Sequence, residues 1–171
     1  LRTGDLEGAS RMALQAVRLD PADHKAYVVL ADVFAGLEGE ENHEAARRYF
    51  EKALVLFPED WQAQHRFGVL LQNDGDLQGA LEHADRAIAL RPAAEYAYVT
   101  AADALLWMGR PQEAEHRLRA GLIQVPNSNV LRSLMAYAAW ELQDKETTQA
   151  FLRELAGVWP PTHSSAVLLQ G

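Results

Sequence analysis

Apolar residues in this chain recur at the spacing of one helix face. Tyr27, Leu30, Ala31 and Phe34 stand at i, i+3, i+4 and i+7. Phe67, Gly68 and Leu71 repeat most of that set, and Tyr98, Ala101, Ala102 and Leu105 repeat it in full. Alanine and leucine dominate while β-branched residues are few, a mixture that costs little side-chain freedom in a helix. The pattern predicts helices over about 5–20, 23–37, 42–57, 60–73, 76–90, 94–108, 111–124, 128–142, 145–157 and 162–170.

Helix breakers divide this pattern into equal units. Pro58, Pro92, Pro126 and Pro160 are spaced 34 residues apart, and Pro21 precedes the first of them by 37. Alanine stands twelve residues before four of the five (Ala9, Ala46, Ala80, Ala114) and five before three of them (Ala16, Ala53, Ala87). Gly4-Asp5, Gly75-Asp76 and Gly109-Arg110 share a further register position. Each choice has a physical reason. Small alanines fit where antiparallel helices approach closely. Glycine gives the tight turn its backbone freedom, and Asp76 can cap the helix that follows. Proline stops a helix, after which Asp23, Asp60 and either Asn127 or Ser128 offer N-caps. Every unit therefore reads as helix, turn, helix, loop.

These residues resemble the tetratricopeptide repeat. Gly75–Pro92 (GDLQGALEHADRAIALRP) and His43–Asp60 (HEAARRYFEKALVLFPED) are similar to its second helix, and the three first-helix sets above occupy its signature positions. The resemblance implies an all-α, right-handed superhelical solenoid of antiparallel helix-turn-helix repeats. It divides 1–171 as a single array: a second helix of a partial repeat over 1–22, repeats at 23–60, 61–94, 95–128 and 129–162, and the first helix of another over 163–171. The fourth repeat departs from the family, with Arg132, Gln143, Thr148 and Leu155 where it has an aromatic, Gly, Ala and Ala. Three extra residues in Gly36–Asn42 predict a longer, looser turn. Val167, Leu168 and Leu169 lie at the end of the sequence, so the chain reads as cut from a longer array or paired with another copy.

The resemblance further implies that first helices line a concave groove. The stripe beside the packed one gives Lys25, Val28, Val29 and Asp32; then Gln62, His65, Arg66, Val69, Gln72 and Asn73. It continues with Tyr96, Val99, Thr100, Asp103, Leu106 and Trp107, and ends with Val130, Ser133, Leu134, Tyr137 and Trp140. The lining passes from polar to aromatic, which suits an extended peptide or helix carrying an apolar anchor. For Trp107, Tyr137 and Trp140 two readings stay open, packing between repeats or exposure in the groove. Trp61 and Trp159 read as wedges at hairpin junctions. Arg66 reads either as a bidentate partner for a carboxylate or as a salt-bridged surface residue. Co-chaperone members of the family grip a C-terminal carboxylate with Lys and Asn. Val28, Asp32, Arg66, Tyr96 and Thr100 stand at those positions, and with only Arg66 compatible no such clamp is expected.

Composition narrows the partner class. A net charge of −8 and the lack of a basic stripe argue against nucleic acid. Arg47, Arg48 and Lys52 alternate with Glu44 and Glu51, and Glu82/Arg86, Glu113/Arg117 and Glu115/Arg119 lie four apart, as on a solvated helix face. With no cysteine there is neither thiol chemistry nor a disulfide. No apolar run reaches the roughly 20 residues of a bilayer span, so membrane insertion is not expected; cytoplasm and periplasm are both compatible. His24, His43, His65, His83, His116 and His163 include no i,i+4 pair for a metal. His43, His83 and His116 fall on second helices, at positions expected to be exposed. His163-Ser164-Ser165 are neighbours in sequence only, and no phosphate loop or nucleophile elbow occurs. The expectation is a protein- or peptide-binding scaffold with no catalytic residue, cofactor or metal. The alternatives are a non-catalytic arm of a larger enzyme or bacterial envelope export assembly, and self-association (a homo-oligomer) through the exposed terminal helices.

Overall fold

The computed structural model describes residues 3–156. Among the described residues the chain is all-α. In order it forms α1 (Thr3–Leu19), α2 (His24–Ala35), α3 (Glu40–Leu56), α4 (Trp61–Asn73), α5 (Leu77–Leu90), α6 (Glu95–Trp107), α7 (Pro111–Gln124), α8 (Asn129–Glu141) and α9 (Lys145–Ala156). All of these bounds fall within two residues of those predicted. The expected helix at 162–170, Trp159, His163 and the apolar end at Val167–Leu169 lie outside the described residues.

The described residues up to Leu90 and those from Arg91 onward form two compact units. In the first, α2 pairs with α3 and α4 with α5, while α1 packs on α2 and α3 on α4. In the second, α6 pairs with α7 and α8 with α9, and α8 packs on both α7 and α6.

Alanine closes the hairpins as expected. Ala46, Ala80 and Ala114 are fully buried, and Thr148, their counterpart in the last hairpin, is buried with its hydroxyl donating to the Asp144 carbonyl at 2.7 Å. Gly68 meets α5 so closely that a Cβ there would lie 3.1 Å from the Ala80 carbonyl oxygen. At Gly121, where other second helices carry Ala53 or Ala87, a Cβ would come within 2.9 Å of the Tyr98 ring. Larger side chains fill the space between these contacts. Phe50 and Phe67 stack at 5.4 Å in the first unit, and Leu105, Leu118, Leu131 and Met135 are buried in the second.

The capping logic also holds. Asp23 and Asp60 each accept two backbone N–H bonds at the starts of α2 and α4, satisfying donors the helix itself leaves without partners. Ser128, rather than Asn127, caps α8 through the Leu131 N–H. Asp76 accepts from the Gly79 N–H at 3.0 Å.

Three expectations need correction. Gly4 and Asp5 belong to α1 and form no turn, since glycine takes right-handed helical angles as readily as turn angles. The extra residues near Gly36 lengthen the turn by only one residue, to 36–39 against 74–76 and 108–110. Most of the added length goes into α3, which has 17 residues against 14 in α5 and α7. Gly39, at φ 112°, redirects the chain, and Glu40 and Glu41 then suit a helix N-terminus electrostatically. Finally, surface charges join elements as well as laddering along one helix. Arg47 reaches Asp74 and Asp76 beyond α4, where His43 also meets Asp74 at 2.6 Å. Glu113 takes a two-pronged bond from Arg110, while Glu115–Arg119 forms as expected at 2.5 Å.

Candidate functional site

The residues expected to face a partner lie on the first helices, and their exposure differs between the two units. In the first unit it is built on α2 and α4. Lys25, Arg66 and Asn73 are exposed, while Asp32, His65, Val69 and Gln72 are half-exposed. Arg66 donates to the Asp32 carboxylate on the neighbouring first helix. Burial nevertheless holds the Asp32 carboxyl above its ordinary range, the Arg66 charge only partly offsetting the lost hydration. Of the two readings left open for Arg66, this is the salt-bridged one, its guanidinium being engaged within the chain. Val28 is buried, where a groove position was expected, and Val29 beside it is exposed.

In the second unit the surface is built on α6 and α8, and it is aromatic. Tyr96 (64% exposed), Trp107 (76%), Tyr137 (47%) and Trp140 (51%) all present large apolar area to solvent. This decides the two open readings: these rings do not fill a core. Tyr137 and Trp140 stack at 5.9 Å and 27°, a favourable aromatic geometry. The Tyr137 hydroxyl bonds to Glu141, which raises its pKa above the ordinary phenol value. Val99, Asp103, Leu106 and Ser133 are half-exposed between them. Ser133 spends its hydroxyl on the Asn129 carbonyl at 2.9 Å, so it lines the surface by shape.

Thr100 is the exception, and its assignment is corrected. It is buried, with its hydroxyl donating to the Tyr96 carbonyl at 3.1 Å, so it has no area to offer a partner. On a first helix the stripes for packing and for contact are only one residue apart, and a short β-branched side chain fits the packed one.

Away from this surface, His83 is not the exposed second-helix residue expected. Its ring lies 4.5 Å from the Phe67 ring, and its Nδ1 is 2.6 Å from Oε1 of buried Gln64. Burial, helped by the Arg86 charge, lowers its pKa to about 4, with Glu82 and Asp76 opposing. A signal for this existed in Gln64, a polar residue at the position where α2 and α6 have Tyr27 and Tyr98. Such a buried amide needs a polar neighbour. Gln64 meets the need with His83 and, through Nε2, the Pro58 carbonyl at 3.0 Å.

Among the described residues no group of three His, Cys, Asp or Glu side chains is placed to hold a metal. No helix there is long and apolar enough to cross a membrane.

Comparison with known proteins gives the same architecture. Two models of the tetratricopeptide repeat match residues 36–95 and 71–137. The structure is similar to that reported in a functional characterization of Pseudomonas aeruginosa pilF, with TM-score 0.84 and 20% identity over 98% of this chain and 75% of the other. It is also similar to YrrB, described as a TPR protein with an unusual peptide-binding site, with TM-score 0.77 and 22% identity over 98% and 84%. MamA from Desulfovibrio magneticus matches at TM-score 0.79 and 20% identity over 92% and 87%. At these identities the likeness is one of fold.

Proposed function

We propose, from the premise that this chain belongs to the tetratricopeptide-repeat family, that it binds a peptide or helix of a partner protein on its first-helix surface, with α6 and α8 as the principal contact. The family and the fold support a protein–protein interaction scaffold. The observation that carries the finer reading is the exposed cluster of Tyr96, Trp107, Tyr137 and Trp140. Large aromatics left in water forgo the stabilisation that burial would bring, on the order of 2 kcal/mol each. Their concentration on two helices that pack on each other is what a binding hot spot requires.

In this reading Lys25, Asp32, His65, Arg66, Val69, Gln72 and Asn73 form a polar contact surface on the first unit, with the Asp32–Arg66 pair already neutralised. Val99, Asp103, Leu106 and Ser133 support the aromatic contact on the second. A non-catalytic role follows the family's general character, and no residue is assigned to chemistry.

The test is capture of a partner from native extract with the wild-type chain and with a Tyr137→Ala, Trp140→Ala double variant. A protein retained by the first and lost by the second, with helicity equal by circular dichroism, is the expected result. Equal retention by both removes α6 and α8 as the contact.

A further inference from the structure

The hairpins of this chain share one register, so equivalent positions on second helices can be compared directly. Ala9, Met12 and Ala16 of α1 correspond to Ala46, Tyr49 and Ala53 of α3, and to Ala80, His83 and Ala87 of α5. In α3 and α5 this face is covered by the first helix of the same hairpin. Tyr49 lies 6.3 Å from the Tyr27 ring and 5.5 Å from the Phe34 ring of α2. His83 meets Phe67 of α4, and Ala80 meets Gly68 of α4. The four alanines of these two helices are accordingly buried. On α1 the same face is open. Met12 is 71% exposed, and Ala9 and Ala16 are only half-buried. The packing of α1 on α2 leaves this face uncovered.

We infer that this face of α1 docks an amphipathic helix of a partner protein, one carrying the apolar stripe of a first helix, which closes the hairpin that α1 leaves open. The α4–α5 hairpin shows what chemistry that helix needs. Ala9, Ala13 and Ala16 of α1 match Ala80, Ala84 and Ala87 of α5 position for position. A face of alanines fills little volume, so native packing density requires the opposing helix to supply the bulk. In α4 that bulk is Phe67 and Leu71, both buried, while Gly68 between them lets the two backbones approach. The docked helix therefore carries a large apolar residue, a small residue directly after it and leucine three positions further on. Met12 adds a second requirement. It stands where α5 has His83, whose ring takes Gln64 as its polar neighbour. A thioether has no such need and packs favourably against an aromatic ring. The docked helix is thus expected to carry an aromatic residue in place of Gln64, as α2 does with Tyr27. This contact is separate from the α6–α8 surface, and neither depends on the other.

The experiment uses the full chain with isotope-labelled methionine methyl groups. The sequence has three methionines. Met108 and Met135 belong to the second unit and serve as internal references for Met12. One synthetic peptide has the sequence of α4, Trp61–Asn73, with Gln64→Tyr. A control peptide carries Phe67→Ser and Leu71→Ser in addition. The first peptide is expected to shift the Met12 resonance saturably and to leave the other two in place. The control should bind at least about tenfold more weakly, having lost two large apolar contacts. Ala16→Glu in the chain should weaken the first peptide by about tenfold or more, because docking would bury an unpaired charge. Its circular dichroism should match the wild type, since Ala16 is not fully buried. Should that variant lose helicity, the comparison of the two peptides decides alone.

A Met12 resonance unmoved at millimolar peptide overturns the inference, as do equal shifts from both peptides. Undiminished binding to a folded Ala16→Glu chain places the peptide elsewhere and also overturns it. A Met12 shift that follows chain concentration with no peptide present means that a second copy covers the face, and overturns the assignment to a partner helix.

Discussion

At the scale of single residues, the informative side chains are those whose surroundings change their chemistry. His83 is the clearest. Its pKa is lowered to about 4 because burial against Phe67 disfavours the imidazolium. Between that value and the ordinary one of 6.5 the unfolded chain binds a proton that the folded chain does not. Its contribution to stability therefore falls as pH drops from about 6.5 to about 4, and is level below that. The ring is partly exposed, so the loss is on the order of 1 kcal/mol after solvent screening. Urea midpoints at pH 7 and pH 5 should show it as a drop in the wild type that is smaller in His83→Gln. An equal drop in both would place the acid sensitivity elsewhere. Asp32, with its pKa raised, contributes with the opposite sign, gaining stability as pH falls through its range.

Residue identity made some of this legible and hid the rest. The alanines at 46, 80 and 114 announced the closest helix contacts because nothing larger fits there. Asp23, Asp60 and Ser128 announced helix starts because their side chains complete backbone hydrogen bonds. Thr100 and Val28 were misplaced because burial on a first helix depends on a rotation of one residue, which the apolar pattern does not resolve when both stripes carry small or aliphatic side chains. Arg66 could be seen as an ion-pairing residue. That its partner is Asp32, on another helix, is a fact of packing.

At the scale of elements, the hairpin turns explain where the repeat holds and where it drifts. Gly75 and Gly109 adopt φ of 83° and 69°, and Gln143, 34 residues further on, is forced to 58°. The turn geometry has survived a loss of glycine. A side chain in that left-handed region costs roughly 1 kcal/mol, so the α8–α9 turn stores strain that the other two turns avoid. Gln143→Gly should stabilise the chain, by less than that cost since glycine also gains unfolded-state freedom; a rise of about 0.5 kcal/mol in chemical denaturation is expected. A destabilised variant would mean that the Gln143 side chain contributes contacts outweighing its backbone strain. The drift is otherwise accommodated chemically. Thr148 replaces the closing alanine and ties its hydroxyl back to Asp144, and the same Asp144 caps α9 through the Thr147 N–H at 3.1 Å. The Thr147 hydroxyl, and after it that capping bond, hold its carboxyl below the usual range. The extra residues near Gly36 show the converse. Their presence was plain from proline spacing, but whether they would lengthen a loop or a helix depended on Gly39 and the acids after it.

At the scale of the whole molecule, repetition of one hairpin produces first-helix surfaces of the same geometry and different chemistry. The first unit presents mixed polar groups and an internal ion pair, the second an aromatic surface with acidic side chains. Nothing in the repeat's packing requires exposed rings at Tyr96, Trp107, Tyr137 and Trp140, since its buried positions are filled by Tyr98, Leu105, Leu131 and Met135. The central claim is that this surface meets the partner. Exposed apolar side chains also occur on a second helix, notably Ile123 on α7 at 75%, so exposure alone does not identify the binding side. A photo-crosslinking residue placed at Trp140 in one variant and at Ile123 in another separates the two directly. The account predicts that, in native extract, the chain labelled at position 140 forms a discrete covalent adduct with a partner and the chain labelled at position 123 does not. An adduct from position 123, with none from position 140, would contradict it.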